Sequence, residues 1–263
     1  MEFKDIIFTV RDGVAKITFN KPKTFNSVDL DFSGEIEAAV EECEKNDAIR
    51  AVVITGRGKA FCAGGDISYF TKYFDGDRAE PFRQIIKKVN LMIISIRRMA
   101  KPVIAQINGA AGGAGISLAA ACDLRVCAAS AKFRTGYTSI GLVGDGGWTV
   151  FIPQLVGFGK AMEMMLLDPF FDAKQALEWG FVNKVVEDSD LERTVDELAL
   201  KLAKGPTPAF AIAKENMNRG FMGMLERQLE LERMGMAEAS LTSDYFEGVK
   251  AFLEKRPAKF TGK

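Results

Sequence analysis

The chain has 263 residues, 48% of them hydrophobic, and its 35 basic and 35 acidic side chains give a formal charge of zero. These values predict a globular protein with a sizeable core, and they give no reason to expect nucleic acid or an anionic membrane as its main partner. The chain contains no histidine, which excludes Ser-His-Asp and Cys-His nucleophile systems, the usual zinc ligand sets and imidazole as a general base.

The first third of the chain reads as strands alternating with helices. The segments "DIIFTV" and "VAKITFN" are predicted strands, because apolar and polar residues alternate in the second one. A helix is expected from about Leu30 to Lys45, followed by the buried strand "AVVIT" at 51–55. We expect "AFCAGGDI" to be an irregular glycine-rich loop, and a long amphipathic helix from roughly Arg78 to Met99.

The same pattern recurs in the middle of the chain. A predicted strand, "PVIAQI", leads into the glycine loop "NGAAGGAG", the helix beginning "ISLAAA" and the strand "DLRVCA". Two such units give two helix N-termini with free backbone N–H groups. From about Gly146 onward the pattern is almost all helical, with "FVNKVV" at 181–186 as the exception. We therefore predict one α/β core with a helical C-terminal region.

The four cysteines and the N-terminal segment indicate the cellular setting. Cys43, Cys62, Cys122 and Cys127 form no C-x-x-C pair, so we expect reduced and mostly buried thiols. Cys62 has no histidine or obvious cation beside it, which favours packing over reactivity. The start "MEFKDIIFTVRDG" has no apolar run of signal length, and no later run reaches about 18 apolar residues. We expect a cytoplasmic protein.

The glycine loops do not match a nucleotide-binding motif. "GAAGGAG" contains no G-x-G-x-x-G, and "GFGK" at 157–160 lacks the upstream glycine of a P-loop and is followed by Ala161. Glycines for tight turns and close packing are one alternative. Another is an oxyanion hole, in which N–H groups from two loops bind one carbonyl oxygen. Gly65 and Ala114 lie at suitable loop-to-helix transitions.

Asp145 is the acid whose position needs an explanation. It lies in "IGLVGDGGW" and is the only acid between Asp123 and Glu163. Gly-Asp-Gly is ordinary turn chemistry, because aspartate bonds its own backbone. The residues alone leave a surface turn and a functional carboxylate equally open.

Five segments of the chain resemble a known family. "NKPKTFNSV", "AFCAGGDI", "KPVIAQINGAAGGAGISLAAACD", "AKFRTGYTSIGLVGDGG" and "SDYFEGVKAFLEKRPAKFTGK" look like the successive signatures of the crotonase, or enoyl-CoA hydratase/isomerase, family. The resemblance implies a crotonase-like spiral of ββα units at 1–200, a helical trimerisation region at 201–263, and trimers or dimers of trimers. It also implies an acyl-CoA thioester substrate, no metal, and no cofactor beyond that coenzyme A.

The resemblance also implies roles for individual residues. Gly65 and Ala114 supply the two N–H groups for the thioester oxygen. The residues expected to contact the substrate or its coenzyme A are Lys23, Phe25, Ala63, Asp66, Ile67, Tyr137, Lys255 and Lys259. Of these, the lysines are predicted to hold the CoA phosphates, from the same or a neighbouring subunit, because coenzyme A brings several charges and the chain has no P-loop.

The reaction type follows from which acids are present. By the resemblance, the two glutamates of the family's hydratases correspond to Ser117 and Tyr137, and neither is an acid. Asp145 corresponds to the single acid of the isomerase branch, most similar to bacterial ring-1,2-epoxyphenylacetyl-CoA isomerases. One carboxylate can remove and return a proton, whereas hydration also needs an activated water. We expect Ile140, Leu142 and Val143 to raise the pKa of Asp145 by desolvation.

Three other functions compete with an isomerase, and the residues support them unequally. A hydratase is the second hypothesis. The family's dehalogenating branch, which the Asp145 segment also resembles, relies on a histidine that this chain lacks. A non-catalytic CoA-ester-binding or assembly protein would be favoured if Asp145 were solvent-exposed or turned away from the oxyanion donors. The ring of Tyr137 is expected either beside the acyl chain or in the core, and Phe70, Tyr73 and Phe74 in an acyl pocket.

Overall fold

The computed structural model describes residues 3–263, and its strands form two sheets. In chain order the strands are β1 Ile6–Arg11, β2 Val14–Phe19, β3 Ala51–Gly56, β4 Ala60–Cys62, β5 Val103–Ile107, β6 Ala110–Gly112, β7 Leu124–Ala128, β8 Lys132–Arg134, β9 Phe170–Asp172 and β10 Lys184–Val186. The larger sheet has the order β1-β2-β3-β5-β7-β10 and the smaller one β4-β6-β8-β9. The pairs β1/β2 and β8/β9 are antiparallel and the other pairs are parallel.

The helices of the described residues cover both faces of the larger sheet and form most of the chain after β9. They are α1 Leu30–Lys45, α2 Ile67–Phe70, α3 Glu80–Arg98, α4 Ala114–Ala121, α5 Trp148–Val156, α6 Phe158–Leu167, α7 Ala173–Glu178, α8 Leu191–Ala203, α9 Thr207–Phe221, α10 Leu225–Ala239 and α11 Ser243–Glu254. No helix in residues 3–263 is both long and apolar enough to cross a membrane.

The larger sheet is buried on both faces because helices cover each side of it. Side chains alternate along a strand, so successive residues of β3 face opposite layers. Val53 packs with residues of α8, whereas Val52 and Ile54 belong to the main core that α1 and α3 cover. This explains the uninterrupted apolar run of β3, which the sequence predicted as a strand buried on both faces.

The smaller sheet corrects the predicted structure of both glycine loops. Segments expected to be irregular contain β4 and β6, and Phe170–Asp172, inside a region expected to be helical, is strand β9. Three-residue strands are too short to show a period of two, which is why the sequence pattern missed them. The predicted helix over Leu30–Lys45 is confirmed, and the one predicted at Arg78–Met99 is observed at Glu80–Arg98.

Parallel pairing of β4 with β6 places the two glycine loops side by side. Cys62 is paired with Ala111, so the segments that follow both strands leave the sheet together. A Cβ at Gly64, where φ is +92°, would lie 2.9 Å from the Gly112 carbonyl oxygen and 3.3 Å from the Ala114 nitrogen. Only glycine permits this approach. The Gly64 segment and the first residue of α4 therefore lie next to each other.

The last helix is docked on the loop that precedes α5. A Cβ at Gly141 would lie 2.7 Å from the Tyr245 backbone, and one at Gly248 would lie 2.6 Å from Ile140. Backbone contacts this close fix α11 against residues 138–141. Several large apolar side chains of the C-terminal helices are exposed, including Ile212, Met217 and Phe221. The division into a core at 1–200 and a trimerisation region at 201–263 remains a prediction. Residues 1 and 2 of the predicted core lie outside the part of the chain that the structure describes.

Candidate active site

A cavity of about 300 Å³ opens between the two glycine loops, α3 and the loop before α5. Most of its lining is apolar: Phe70, Phe82, Ile85, Ile86, Val89, Ile140, Leu142, Met236 and Phe252. Asp145, Tyr137 and Arg134 are the ionisable side chains in the lining that the structure describes. A mostly apolar cavity with a few polar groups is typical of a small-molecule site.

Gly65 and Ala114 both line this cavity, and their backbone N–H groups are available to a ligand. In the bridge between the Gly65 segment and Val28, the hydrogen bonds come from Val28 and Asp66, so the Gly65 N–H takes no part. Ala114 is the first residue of α4, where an N–H has no partner within the helix. Neither N–H donates to an acceptor among the described loops and side chains. Both N–H groups are therefore free to donate to a ligand in the cavity.

Asp145 lies in the cavity wall, and its side chain is held from one side. The residue is 7% exposed, so the surface-turn interpretation is wrong. The Tyr137 hydroxyl donates to Oδ1 at 2.7 Å, and the Ser117 hydroxyl donates to the main-chain carbonyl of Asp145 at 2.7 Å. Oδ2 accepts no hydrogen bond from residues 3–263 and is available to a ligand.

Burial changes the acidity of this carboxyl group. It raises the pKa of Asp145 to about 6 from the ordinary 3.8, and the Tyr137 hydrogen bond opposes the rise. The predicted direction is confirmed, although Val143 is 37% exposed and adds less to the apolar surroundings than Ile140 and Leu142. Burial, with the charge of Asp145, raises the pKa of Tyr137 well above its usual value, so the phenol remains a donor.

The glycines around Asp145 give the loop a path that other residues could not follow. Gly146 and Gly147 have φ values of +61° and +83°. A Cβ at Gly146 would lie 3.1 Å from the Ser117 Cβ, and one at Gly147 would lie 2.2 Å from the Phe151 ring. Backbone strain and crowding both exclude side chains here. The loop can therefore run close under α4 and present Asp145 to the cavity.

Four of the predicted contact residues lie close to the oxyanion donors. Ala63, Ile67 and Tyr137 line the cavity. Asp66 does not line it, because its carboxylate caps α2 by accepting from the Ser68 and Tyr69 N–H groups.

The structure does not bring the remaining predicted contact residues into the cavity. Phe25 contacts the loop through its carbonyl oxygen, which accepts from the Ala63 N–H at 3.0 Å, while the residue as a whole is 51% exposed. Lys23, Lys255 and Lys259 are exposed. Lys255 follows α11, whose Phe252 lines the cavity, so the tail begins near the cavity wall.

Some residues at the site were not found by sequence reasoning. Phe82, Ile85, Ile86 and Val89 recur at helical spacing on α3, a signal that marked a buried face but not a cavity. Phe70 lines the cavity, but Tyr73 and Phe74 do not.

Glu232 of α10 is the second missed feature. It is 4% exposed, and its carboxylate accepts from the Gly147 N–H at 2.7 Å, the Thr149 N–H at 2.8 Å and the Thr149 hydroxyl at 2.6 Å. Its sequence context, "LELERMGM", reads as an ordinary amphipathic helix. No local signal could have shown that this glutamate reaches the loop of Asp145.

The thiols and carboxylates give no indication of other chemistry at the site. All four cysteines are free and buried, as expected, and burial raises the pKa of Cys62 to about 11. Cys62 is therefore a packed thiol, not a thiolate nucleophile. Within residues 3–263 no group of three or more His, Cys, Asp or Glu side chains could hold a metal ion.

Comparison with known proteins shows which proteins this chain is similar to. The family model described as "Enoyl-CoA hydratase/isomerase" matches residues 9–263. The chain is 36% identical to the 1,2-epoxyphenylacetyl-CoA isomerase of Escherichia coli K12 over 263 residues, covering 100% of both chains. It is also 36% identical to a probable enoyl-CoA hydratase of Rhodobacter capsulatus over 267 residues, covering 100% of both. A crystal structure of an enoyl-CoA hydratase from Mycobacterium avium subsp. paratuberculosis K-10 superposes with a TM-score of 0.90 at 31% identity, covering 99% of this chain and 100% of that one.

Proposed function

The chain belongs to the enoyl-CoA hydratase/isomerase family, and from that premise we propose that it shifts a double bond of an enoyl-CoA with Asp145 as the single acid and base. Its relatives are named both isomerase and hydratase, so family membership does not choose the reaction. The observation that carries the proposal is that Asp145 is the one carboxylate lining the cavity of Gly65 and Ala114 in the described residues.

The thioester carbonyl oxygen would lie between the N–H groups of Gly65 and Ala114. Negative charge develops on this oxygen when a proton leaves the neighbouring carbon, and the two donors would stabilise it. A single donor of this kind is typically worth about 2.7 to 4 kcal/mol of transition-state stabilisation.

Asp145 Oδ2 would carry out both proton transfers. For a 3-enoyl-CoA, it removes a proton from the α carbon, and the electrons of that C–H bond pass into a dienolate ending on the thioester oxygen. The same oxygen atom then returns the proton to the γ carbon, the β,γ double bond is lost, a double bond forms between the α and β carbons, and the thioester carbonyl is restored. The reaction balances without an oxidant, a metal or a cofactor other than the coenzyme A of the substrate. A base with a pKa of about 6 is largely ionised at neutral pH and can still return its proton.

The hydrogen bonds of Ser117 and Tyr137 argue against water addition. Both hydroxyl groups donate hydrogen bonds to Asp145. Ser117 donates to its main-chain carbonyl and Tyr137 donates to its carboxylate. Neither can accept a proton from water near neutral pH. Asp145 would be alone in activating water and in protonating the substrate, although hydration needs both at once.

The cavity supports an apolar acyl group that includes a ring. Phe70 and Phe82 stack with centroids 4.4 Å apart, and Phe252 lies in the same lining. Similarity to the 1,2-epoxyphenylacetyl-CoA isomerase supports the same substrate type and extends the proposal to opening of a ring epoxide. We further propose a homo-oligomer, trimeric or hexameric, and a cytoplasmic location, which four free thiols favour.

Product analysis tests the proposal. The enzyme is incubated with a 3-enoyl-CoA and a 2-enoyl-CoA, each with a short linear or a phenyl-bearing acyl group, and the products are identified by chromatography and mass. We expect interconversion at constant mass. A gain of the mass of one water would assign a hydratase, and saturable binding of both esters without any product would assign a non-catalytic CoA-ester-binding protein.

A further inference from the structure

Glu232 is a buried carboxylate that the proposed reaction does not use. It projects from α10 to the beginning of α5, where it accepts three hydrogen bonds from Gly147 and Thr149. It forms no ion pair with a basic side chain of residues 3–263. Burial raises its pKa to about 7, and the charge of Asp145 adds to the rise. Burying an ionised carboxylate without a cation beside it costs free energy, so the hydrogen bonds that Glu232 accepts must offset that cost.

The three donors show what Glu232 holds. The Gly147 N–H and the Thr149 N–H belong to the N-cap and the second residue of α5, where backbone donors have no partner within the helix. The helix dipole and the two N–H groups together favour a carboxylate at this end. Glu232 therefore stabilises the beginning of α5 two residues after Asp145.

The loop between these points has little conformational restraint of its own. Residues Gly144, Gly146 and Gly147 surround Asp145, and two of them have positive φ. Glycines allow many conformations, so an anchor on each side is needed to give Asp145 one orientation. On one side the Tyr137 and Ser117 hydroxyls hold Asp145 itself. On the other side the anchor is Glu232.

We propose that Glu232 is a positioning residue that fixes the orientation of Asp145 by holding the N-terminus of α5. The proposal rests on the function proposed above, in which Asp145 Oδ2 transfers the proton. Glu232 does not touch the cavity itself, since its carboxylate is directed at backbone donors.

The main test replaces Glu232 with glutamine. Glu232→Gln keeps the volume and one acceptor oxygen, but its amide N–H₂ faces a backbone N–H, so one anchoring bond is lost. Because a misplacement of about 1 Å can cost on the order of 100-fold, we expect kcat for isomerisation to fall by about that factor with KM changed less than 2-fold. The matched control is Glu238→Gln, an exposed glutamate of the same helix, which should match wild type.

A second measurement follows the titration of Asp145 by NMR in the absence of substrate. Protein labelled with [4-13C]aspartate is titrated by NMR, and the Asp145 resonance is assigned by its loss in Asp145→Asn. We expect the Asp145 midpoint, near 6 in wild type, to fall in Glu232→Gln, because a less restrained loop lets water reach Asp145 and so reduces the burial that raises its pKa. In Glu232→Asp the oxygens withdraw by one methylene group and the anchor is weakened, so both kcat and the Asp145 midpoint should fall.

The outcomes separate this proposal from the proposed function. Wild-type kcat and an unchanged Asp145 midpoint in Glu232→Gln, with only a lower melting temperature, would show a purely structural role and overturn the proposal. If Glu232→Gln does not fold, Glu232→Asp provides the test. An unchanged kcat in Glu232→Asp would overturn the positioning role of Glu232. If wild type itself shows no isomerisation, the proposed function fails, while the NMR midpoints still test whether Glu232 controls Asp145.

Discussion

Replacing Asp145 with asparagine should stabilise the protein above neutral pH. The variant keeps the shape and the acceptor for the Tyr137 hydroxyl but cannot ionise. Burial raises the Asp145 pKa from 3.8 to about 6, a rise of about two units, and each unit corresponds to about 1.4 kcal/mol. Because the folded pKa is the higher one, wild type has its full stability below about pH 4 and loses it as pH rises through about 6.

Urea unfolding of both proteins at several pH values measures this effect. The free energy of unfolding of Asp145→Asn minus that of wild type should increase by about 2 to 3 kcal/mol between pH 4 and pH 8. Titrating groups that do not interact with Asp145 cancel in the difference, and the pKa of Glu232, which the Asp145 charge raises, falls in Asp145→Asn and adds to the increase. The matched control is Asp75→Asn, at an exposed aspartate, where an increase as large as that of Asp145→Asn would point to a general effect of removing a carboxyl. A pH-independent difference for Asp145→Asn would refute the claim that this carboxyl is desolvated.

Three further predictions concern the neighbours of Asp145, the coenzyme A and the assembly. Tyr137→Phe removes the hydrogen bond that lowers the Asp145 pKa, so the pH midpoint of kcat should rise by about one unit; an unchanged midpoint would show that the bond is not formed in solution. Alanine at Lys23, Lys255 or Lys259 should raise KM for acyl-CoA about 2- to 5-fold at low salt but not for acyl-pantetheine, and equal effects on both would exclude phosphate contacts. Light scattering should give at least three times 28.8 kDa, and an active monomer at micromolar concentration would contradict the oligomer.

Much of the α/β architecture follows from local patterns. The continuous apolar run of Ala51–Gly56 and the alternation in Val14–Phe19 predicted strands, and the structure has both in the larger sheet. Two glycine loops before two helices predicted two sets of free N–H groups. The structure brings these loops together because the short strands before them pair in parallel.

The sequence could not show contacts that join distant parts of the chain. The strands of the smaller sheet have three residues each, too few for a periodic signal. Whether Asp145 was a turn residue depended on α4 and Tyr137 packing over it, which no local pattern encodes. Tyr137 was expected either beside the acyl chain or in the core; it lines the cavity, and the bond from its hydroxyl to Asp145 had no signal in the sequence. Glu232 is 87 residues further along the chain than Asp145, and only the packing of α10 brings it to the site.

The acid and base function of Asp145 is tested most directly by proton exchange. Wild type and Asp145→Asn are incubated in D₂O with a 3-enoyl-CoA, and deuterium at the α and γ carbons is followed by NMR. We expect wild type to form the 2-enoyl product, and Asp145→Asn to exchange and isomerise about 10²- to 10⁴-fold more slowly with nearly unchanged affinity for the CoA ester. Near-normal exchange and turnover by Asp145→Asn would contradict the assignment of Asp145 as the acid and base.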